Sequence, residues 1–115
     1  MALFKEQINK AYNIILKRAR DYNPIYYGEL YEMIGLNHNN DLDRKRGGEI
    51  LGEVNNKSGS SFLLSSFVVS RGGNGPHGGY YNLAESLGRI SRNLSEDEKQ
   101  EFWIKEMKRV RDKYK

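Results

Sequence analysis

Residues 62–81, FLLSSFVVSRGGNGPHGGYY, decide which fold the sequence predicts. Phe62–Ser70 is apolar at both alternating positions, which predicts a strand that is buried on both faces. Arg71–Gly79 contains five glycines in nine residues and predicts a flexible loop. Tyr80–Tyr81 then predicts a short strand that pairs with the first one as a small antiparallel hairpin.

The sequence before this hairpin predicts helices. In Ala2–Arg20 the apolar residues recur at three- and four-residue spacing, as in an amphipathic helix. Gly28–Ile34 and Asp43–Val54 predict two short helices, with Asp43 as the N-cap of the second. Gly47, Gly48 and Gly52 in the second short helix predict a close approach by another backbone. Two short helices followed by a hairpin is the order of elements in a winged helix-turn-helix.

Two further helices are expected after the hairpin. Asn82 with Glu85, and Ser95 with Glu98, have the spacing of capping pairs and predict a short helix and then a longer one. A chain of 115 residues predicts a single domain, residues 1–115, because two domains would each lack a sufficient core. We therefore expect an α+β fold with a winged-helix-like core, made of two short helices and a small antiparallel hairpin, flanked by longer N- and C-terminal helices.

The positive charge is concentrated at the two ends of the sequence. The net charge is +4; residues 1–20 hold five basic residues and one acidic residue, and residues 105–115 hold six basic and two acidic residues. Such ends can meet an anionic partner, although the solvated faces of ordinary helices carry similar charges. The absence of cysteine excludes disulfides and thiolate sites. No apolar run approaches the roughly 20 residues of a membrane span, so a cytoplasmic protein without membrane contact is expected.

The residues of the glycine loop match a nucleotide-binding sequence pattern, but the elements predicted around them do not fit that function. Gly73, Gly75 and Gly78 have the G-x-G-x-x-G spacing of dinucleotide-binding loops. That function requires a helix that begins inside the motif, whereas Pro76 lies inside it and the predicted helix begins near Leu83. A backbone cradle for another anion and a plain turn both remain open. No cofactor is expected.

The residues that could support catalysis are few. His38 and His77 are the two histidines, and no further ligands have the spacing of a zinc site. The serines of the predicted strand, Ser65, Ser66 and Ser70, lack the G-x-S-x-G pattern of a nucleophile elbow. We therefore expect no enzymatic activity and no bound metal.

A set of residues suited to nucleic acid surrounds the start of the helix predicted at Asp43–Val54. In a helix-turn-helix this end enters the major groove, where Arg and Asn pair with guanine and adenine edges. The glycine loop would act as the wing and contact the DNA backbone. The sequence therefore predicts a nucleic-acid-binding site made of Asn39, Asn40, Arg44, Lys45, Arg46, Arg71, Asn74 and His77.

Three segments carry a family resemblance: YYGELYEMIG, GGEILGEVN and LLSSFVVSRGGNGPHGGYY. Together they resemble a small module of uncharacterised mobile-element proteins, found also as the N-terminal DNA-reading domain of modification-dependent HNH restriction endonucleases. The resemblance covers about residues 25–88, with Ser61-Phe62 in place of an expected proline and PHGG in place of PGxG. It implies recognition of duplex DNA, here without cleavage because no nuclease motif is present.

A second resemblance points to the same partner. The YGEL helix followed by an arginine-containing helix is similar to the winged helix of alkyltransferase-like DNA repair proteins. Without cysteine, alkyl transfer is excluded.

The sequence thus predicts a non-catalytic, duplex-DNA-binding protein linked to restriction, defence or a mobile element. The alternative is a phage or plasmid anti-defence protein that inhibits a nuclease or another host protein by direct contact. Exposed tyrosines would anchor that contact, since interfaces favour this residue. The candidates are Tyr22, Tyr26, Tyr27, Tyr80 and Tyr81.

Overall fold

The computed structural model describes residues 2–58, 63–71, 75–76 and 78–114. Within these ranges the α-helices are α1 (Ala2–Arg20), α2 (Tyr27–Met33), α3 (Asp41–Ser58), α4 (Gly78–Ser86) and α5 (Glu96–Tyr114). The remaining elements are the strands β1 (Ile25–Tyr26) and β2 (Val68–Val69) and one 3₁₀ turn, Leu64–Phe67. Among the helices described here, none is both long and apolar enough to cross a membrane.

The predicted α+β fold with a winged-helix-like core is wrong, because helices dominate the structure. The two strands are parallel, with Ile25 opposite Val68, and the described residues contain no antiparallel hairpin. The predicted strand Tyr80–Tyr81 lies in α4. This helix buries Tyr80 and Ala84, one turn apart, on the same face. The predicted capping residue Asn82 lies inside the same helix.

The segment predicted as a buried strand, Phe62–Ser70, forms the 3₁₀ turn and β2, while Phe62 lies outside the described residues. All four residues of the 3₁₀ turn are buried where α1, α3 and α5 meet. Burial on every side explains why the segment is apolar at both alternating positions. Neighbouring helices offer no free peptide groups, so side chains bond to this backbone. Asn55 Oδ1 accepts from the Ser65 N–H at 2.9 Å, and Trp103 Nε1 donates to the Ser66 carbonyl at 2.8 Å.

The two long terminal helices are confirmed. The predicted apolar stripe of α1 is buried, with Ala11, Ile15 and Ala19 fully inaccessible to solvent. The predicted capping box precedes α5: the Ser95 N–H donates to Glu98 Oε1 at 3.0 Å, and the Glu98 N–H donates to Ser95 Oγ at 3.2 Å. Local sequence signals therefore placed both terminal helices correctly.

Helix α3 begins earlier than predicted. Its N-cap is Asn40 rather than Asp43, since Asn40 Oδ1 accepts from the Asp43 N–H at 3.0 Å. The Asp43 carboxylate instead accepts from the Asn37 N–H at 2.9 Å and holds the preceding loop against the helix. Gly35, before this loop, has a φ of +86°.

The glycines of α3 differ in their surroundings. A Cβ on Gly47 would lie 2.3 Å from Tyr31 Cζ, so this glycine allows a close approach by a side chain rather than by a backbone. Cβ atoms on Gly48 and Gly52 would have nothing within 4 Å in the part of the chain that the structure describes. Because each glycine in a helix costs about 1 kcal/mol relative to alanine, Gly48 and Gly52 weaken α3 without a packing contact to explain them.

A buried ion pair joins the region after α4 to α5. Arg89 Nη2 donates to both carboxylate oxygens of Glu106, and the Glu106 side chain is 1% exposed. Burial raises the pKa of the Glu106 carboxyl, and the charges of Arg89 and Arg109 oppose that rise only in part.

Candidate nucleic-acid interface

Tyr22 occupies the position after α1 at which helices commonly have glycine. Its N–H donates to the Ala19 carbonyl at 3.1 Å, and the Asn23 N–H donates to the Arg18 carbonyl at 2.9 Å. These are the two hydrogen bonds of a Schellman C-cap, which requires a left-handed residue. Tyr22 accordingly has a φ of +52°. This conformation costs a residue with a Cβ about 1–2 kcal/mol, whereas glycine adopts it freely.

The Tyr22 ring is held by two other parts of the chain. It makes an edge contact with the buried Phe67, with 5.9 Å between the ring centroids and 73° between the planes. The guanidinium carbon of Arg111, on α5, lies 5.1 Å from the centroid of the Tyr22 ring. Tyr22 is 36% exposed, so the ring and the cation are presented to solvent together.

A second pair of this kind joins Tyr26 and Arg71. The guanidinium carbon of Arg71 lies 4.6 Å from the centroid of the Tyr26 ring, and both residues are exposed. The parallel strands set this contact, because Tyr26 lies opposite Val69, two residues before Arg71. Since Val69 follows the 3₁₀ turn that contains Phe67, both pairs border the same segment of the chain.

A third group joins residues of α1, α3 and α5. Lys57 Nζ lies 5.4 Å from the centroid of the Tyr12 ring, and Tyr12 is hydrogen-bonded to Tyr114. Burial and, to a smaller extent, this hydrogen bond raise the pKa of the Tyr114 hydroxyl, while the charge of Arg20 lowers it. The hydroxyl stays uncharged at neutral pH. We define the tyrosine–cation surface as Tyr12, Tyr22, Tyr26 and Tyr114 with Arg20, Lys57, Arg71 and Arg111.

Such pairs are frequent in this chain. The described residues contain four cations within 6 Å of a ring centroid, counting Lys99 over Tyr81 at 5.7 Å. An exposed pair contributes only about 0.5–1 kcal/mol. The pairs therefore contribute little to stability. Their main effect is to place flat rings and cations side by side on the surface.

The predicted basic triad at the start of α3 has a different environment. Arg44, Lys45 and Arg46 are exposed, and Arg44 forms an ion pair with Asp41. Four acidic residues on the same helix offset this charge: Asp41, Asp43, Glu49 and Glu53. The start of α3 is therefore not a strongly positive surface.

Arg71 lines a groove of about 580 Å³ that none of the three triad residues lines. The lining of this groove also includes His38 and two carboxylates, Glu29 and Glu32. These carboxylates disfavour a phosphate backbone that would run along the groove. Glu29 forms an ion pair with Arg18 at 3.4 Å, which reduces the repulsion between Glu29 and a phosphate.

The predicted asparagines and loop residues do not join the surface. The Asn40 side chain caps α3, and the Asn39 N–H donates to Asn37 Oδ1 at 3.0 Å within the exposed loop. Asn74 and His77 lie outside the described residues. Of the predicted nucleic-acid-binding residues that the structure describes, Arg71 alone belongs to the tyrosine–cation surface.

Most of this surface was missed as a site in the sequence. Arg20, Lys57, Arg111, Tyr12 and Tyr114 are distant in the chain, and the concentration of charge at both ends was the signal that pointed to them.

The predicted tyrosine anchors are only partly exposed. Tyr22 and Tyr26 are exposed as predicted, and Tyr27 and Tyr81 are half-buried. Tyr80 is buried, with its hydroxyl 2.6 Å from Ser66 Oγ, and cannot anchor a partner.

Among the residues that the structure describes, no three His, Asp or Glu side chains converge as a metal site would require. The resemblance to the DNA-reading module stays a prediction. Comparison of the chain with models of protein families, with curated proteins and with solved structures finds no match, so its function must be inferred from its own geometry.

Proposed function

We propose that the protein binds nucleic acid, without catalysis, through the tyrosine–cation surface. The observation that carries this proposal is Tyr22, held in the left-handed conformation beneath the guanidinium of Arg111. The backbone conformation alone favours glycine at this position. A partner that contacts both a flat ring and a cation gives a reason for tyrosine.

The chemistry of the surface suits this partner. Arg and Lys side chains contact phosphates, and guanidinium planes and aromatic rings stack on nucleobases. Three of the cations lie on different helices: Arg20 on α1, Lys57 on α3 and Arg111 on α5. Because rigid helices hold these charges at fixed spacing, we propose duplex DNA, whose phosphates also have fixed spacing, as the partner.

The test is fluorescence anisotropy with a labelled duplex of about 20 base pairs, unmodified or cytosine-methylated, and a single strand of the same length, from about 50 to 300 mM salt. Engagement of all four cations of the surface predicts a slope of about −3.6 for log Kobs against log salt, at about −0.9 per phosphate. Tighter binding of the single strand would reassign the surface to unpaired nucleic acid. Absence of binding at low salt would refute the proposal.

Matched charge variants locate the contact. Arg111→Ala and Arg71→Ala should each weaken binding and make the slope shallower by about one unit. Lys45→Ala and Arg46→Ala remove the same charge from the exposed start of α3 and should have a smaller effect. The reverse ranking would move the DNA contact to α3 and reject the tyrosine–cation surface.

If no nucleic acid binds, the protein-partner alternative becomes the stronger one. Tyr22 and Tyr26, each more than a third exposed, would then be the residues to vary in pull-down experiments.

A further inference from the structure

A cavity of about 400 Å³ lies between α2, α3 and α4, beside the 3₁₀ turn. Its described lining contains no charged residue. It is formed by three tyrosines, three glycines, two leucines and one serine. This volume lies within the range of small-molecule sites, about 300–1,000 Å³.

The three glycines keep this space open. A Cβ on Gly48, Gly52 or Gly79 would have no atom of the described residues within 4 Å, although the glycines come from two different helices. Alanine at any of them would favour the helix and begin to fill the space. An unfilled space also forgoes the dispersion contacts of a packed interior. Neither helix formation nor packing therefore accounts for glycine at all three positions.

Two hydroxyl groups in the lining donate to no acceptor among the described residues. Tyr31 is 6% exposed, and its hydroxyl makes no hydrogen bond there. Burial raises the pKa of Tyr31, so its proton is retained. The Oγ of Ser65 accepts from Asn55 Nδ2 at 2.9 Å, but the Ser65 hydroxyl proton has no acceptor in the described part of the chain. Both hydroxyls can therefore donate to a ligand in the cavity.

We propose that this cavity binds a small, uncharged, planar heteroaromatic molecule with two hydrogen-bond acceptors. The acceptors would bond to the hydroxyls of Tyr31 and Ser65. An apolar cavity of about 150 Å³ holds one benzene ring, so a volume of about 400 Å³ has room for two fused rings. The described lining offers no charged side chain as a partner to an ion. This site is independent of the proposed nucleic-acid surface.

The test is a ¹H–¹⁵N NMR titration of the full chain with quinoxaline, an uncharged pair of fused rings with two ring nitrogens. We expect saturable shifts of the Gly48, Gly52, Gly79 and Ser65 amides, with a Kd of about 1 mM or below for so small a probe. Quinoline, a neutral molecule of the same shape with one ring nitrogen instead of two, should bind about threefold to tenfold more weakly.

Three variants separate binding in the cavity from nonspecific effects. Gly52→Leu fills the space and should weaken quinoxaline binding at least about tenfold while the spectrum stays that of a folded protein. Glu53→Leu adds the same side chain at an exposed position outside the lining and should retain binding. Tyr31→Phe keeps the ring but removes one donor, so it should weaken binding about threefold to tenfold.

Two results would overturn the proposal. One is the absence of saturable shifts at these amides in the unmodified protein. The other is undiminished quinoxaline binding by Gly52→Leu.

Discussion

Arg111 covers the ring of Tyr22, with 5.1 Å between its guanidinium carbon and the ring centroid, and so links α5 to the end of α1. The tyrosine is in a backbone conformation that glycine adopts without strain. The same contact therefore involves local strain, an exposed ring and a positive charge. Its contributions to stability and to binding can be separated by substitution.

Tyr22→Gly should leave the free energy of unfolding within about 1 kcal/mol of the unmodified protein. Relief of about 1–2 kcal/mol of backbone strain offsets the loss of a half-exposed ring and its contact with Phe67. Affinity for the duplex should nevertheless fall at least about fivefold. Urea unfolding followed by the fluorescence of Trp103, the single tryptophan, measures the first quantity and anisotropy the second. Unchanged affinity would remove Tyr22 from the site.

Asn55→Ala should destabilise the protein by about 2–4 kcal/mol, because the buried Ser65 N–H would lose its acceptor and a small cavity would form. Ser65→Ala is the matched control. It keeps the bond from the Ser65 backbone to Asn55 Oδ1 and should cost no more than about 1.5 kcal/mol. Urea unfolding of both variants checks the ranking. Equal losses would mean that the serine hydroxyl, rather than the backbone, depends on Asn55.

The long helices could be predicted from sequence because their signals are local. The Ser95–Glu98 capping box and the buried stripe of Ala11, Ile15 and Ala19 involve only near neighbours in the chain. The 3₁₀ turn could not be predicted in this way. An apolar run has the same composition whether it is enclosed by strands or by helices, and the bonds that decide the matter come from the distant Asn55 and Trp103.

Gly47→Ala and Gly52→Ala should change stability in opposite directions, although both lie in α3. A Cβ at Gly47 would meet the Tyr31 ring at 2.3 Å and should cost about 1–3 kcal/mol. A Cβ at Gly52 meets open space and should stabilise the helix by about 0.5–1 kcal/mol. Thermal unfolding monitored by circular dichroism compares the two directly. Stabilisation by Gly47→Ala would show that Tyr31 moves aside readily.

Glu106→Gln should alter how stability depends on pH. The pKa of Glu106 is raised above 4.5 in the folded state, so its favourable contribution is present at low pH and is lost as pH rises through the folded pKa. The unmodified protein should therefore lose stability relative to Glu106→Gln as pH rises above about 4.5. Urea unfolding at a series of pH values below and above 4.5 measures the difference.

Glu101→Gln, at an exposed position on the same helix, is the control and should show little of this effect. If the unmodified protein instead gains stability relative to Glu106→Gln as pH rises, the attraction of Arg89 outweighs burial.

The binding surface was harder to predict than the helices. Arg71 was predicted, but as part of a wing, and its contact with Tyr26 depends on a parallel strand pair that no local pattern announces. Arg111 and Tyr22 are brought together by the packing of α1 against α5, across most of the chain. Charge counts identified the ends of the chain as basic but could not identify which tyrosines face them.

The side-chain bonds to the 3₁₀ turn also bear on how the protein matures on the ribosome. The Ser66 carbonyl finds its donor on Trp103, 37 residues further along the chain. Until that residue has left the exit tunnel, burying Ser66 leaves a peptide group unsatisfied. The helices made first therefore cannot close their core around this segment, and the chain completes its fold only after α5 has emerged.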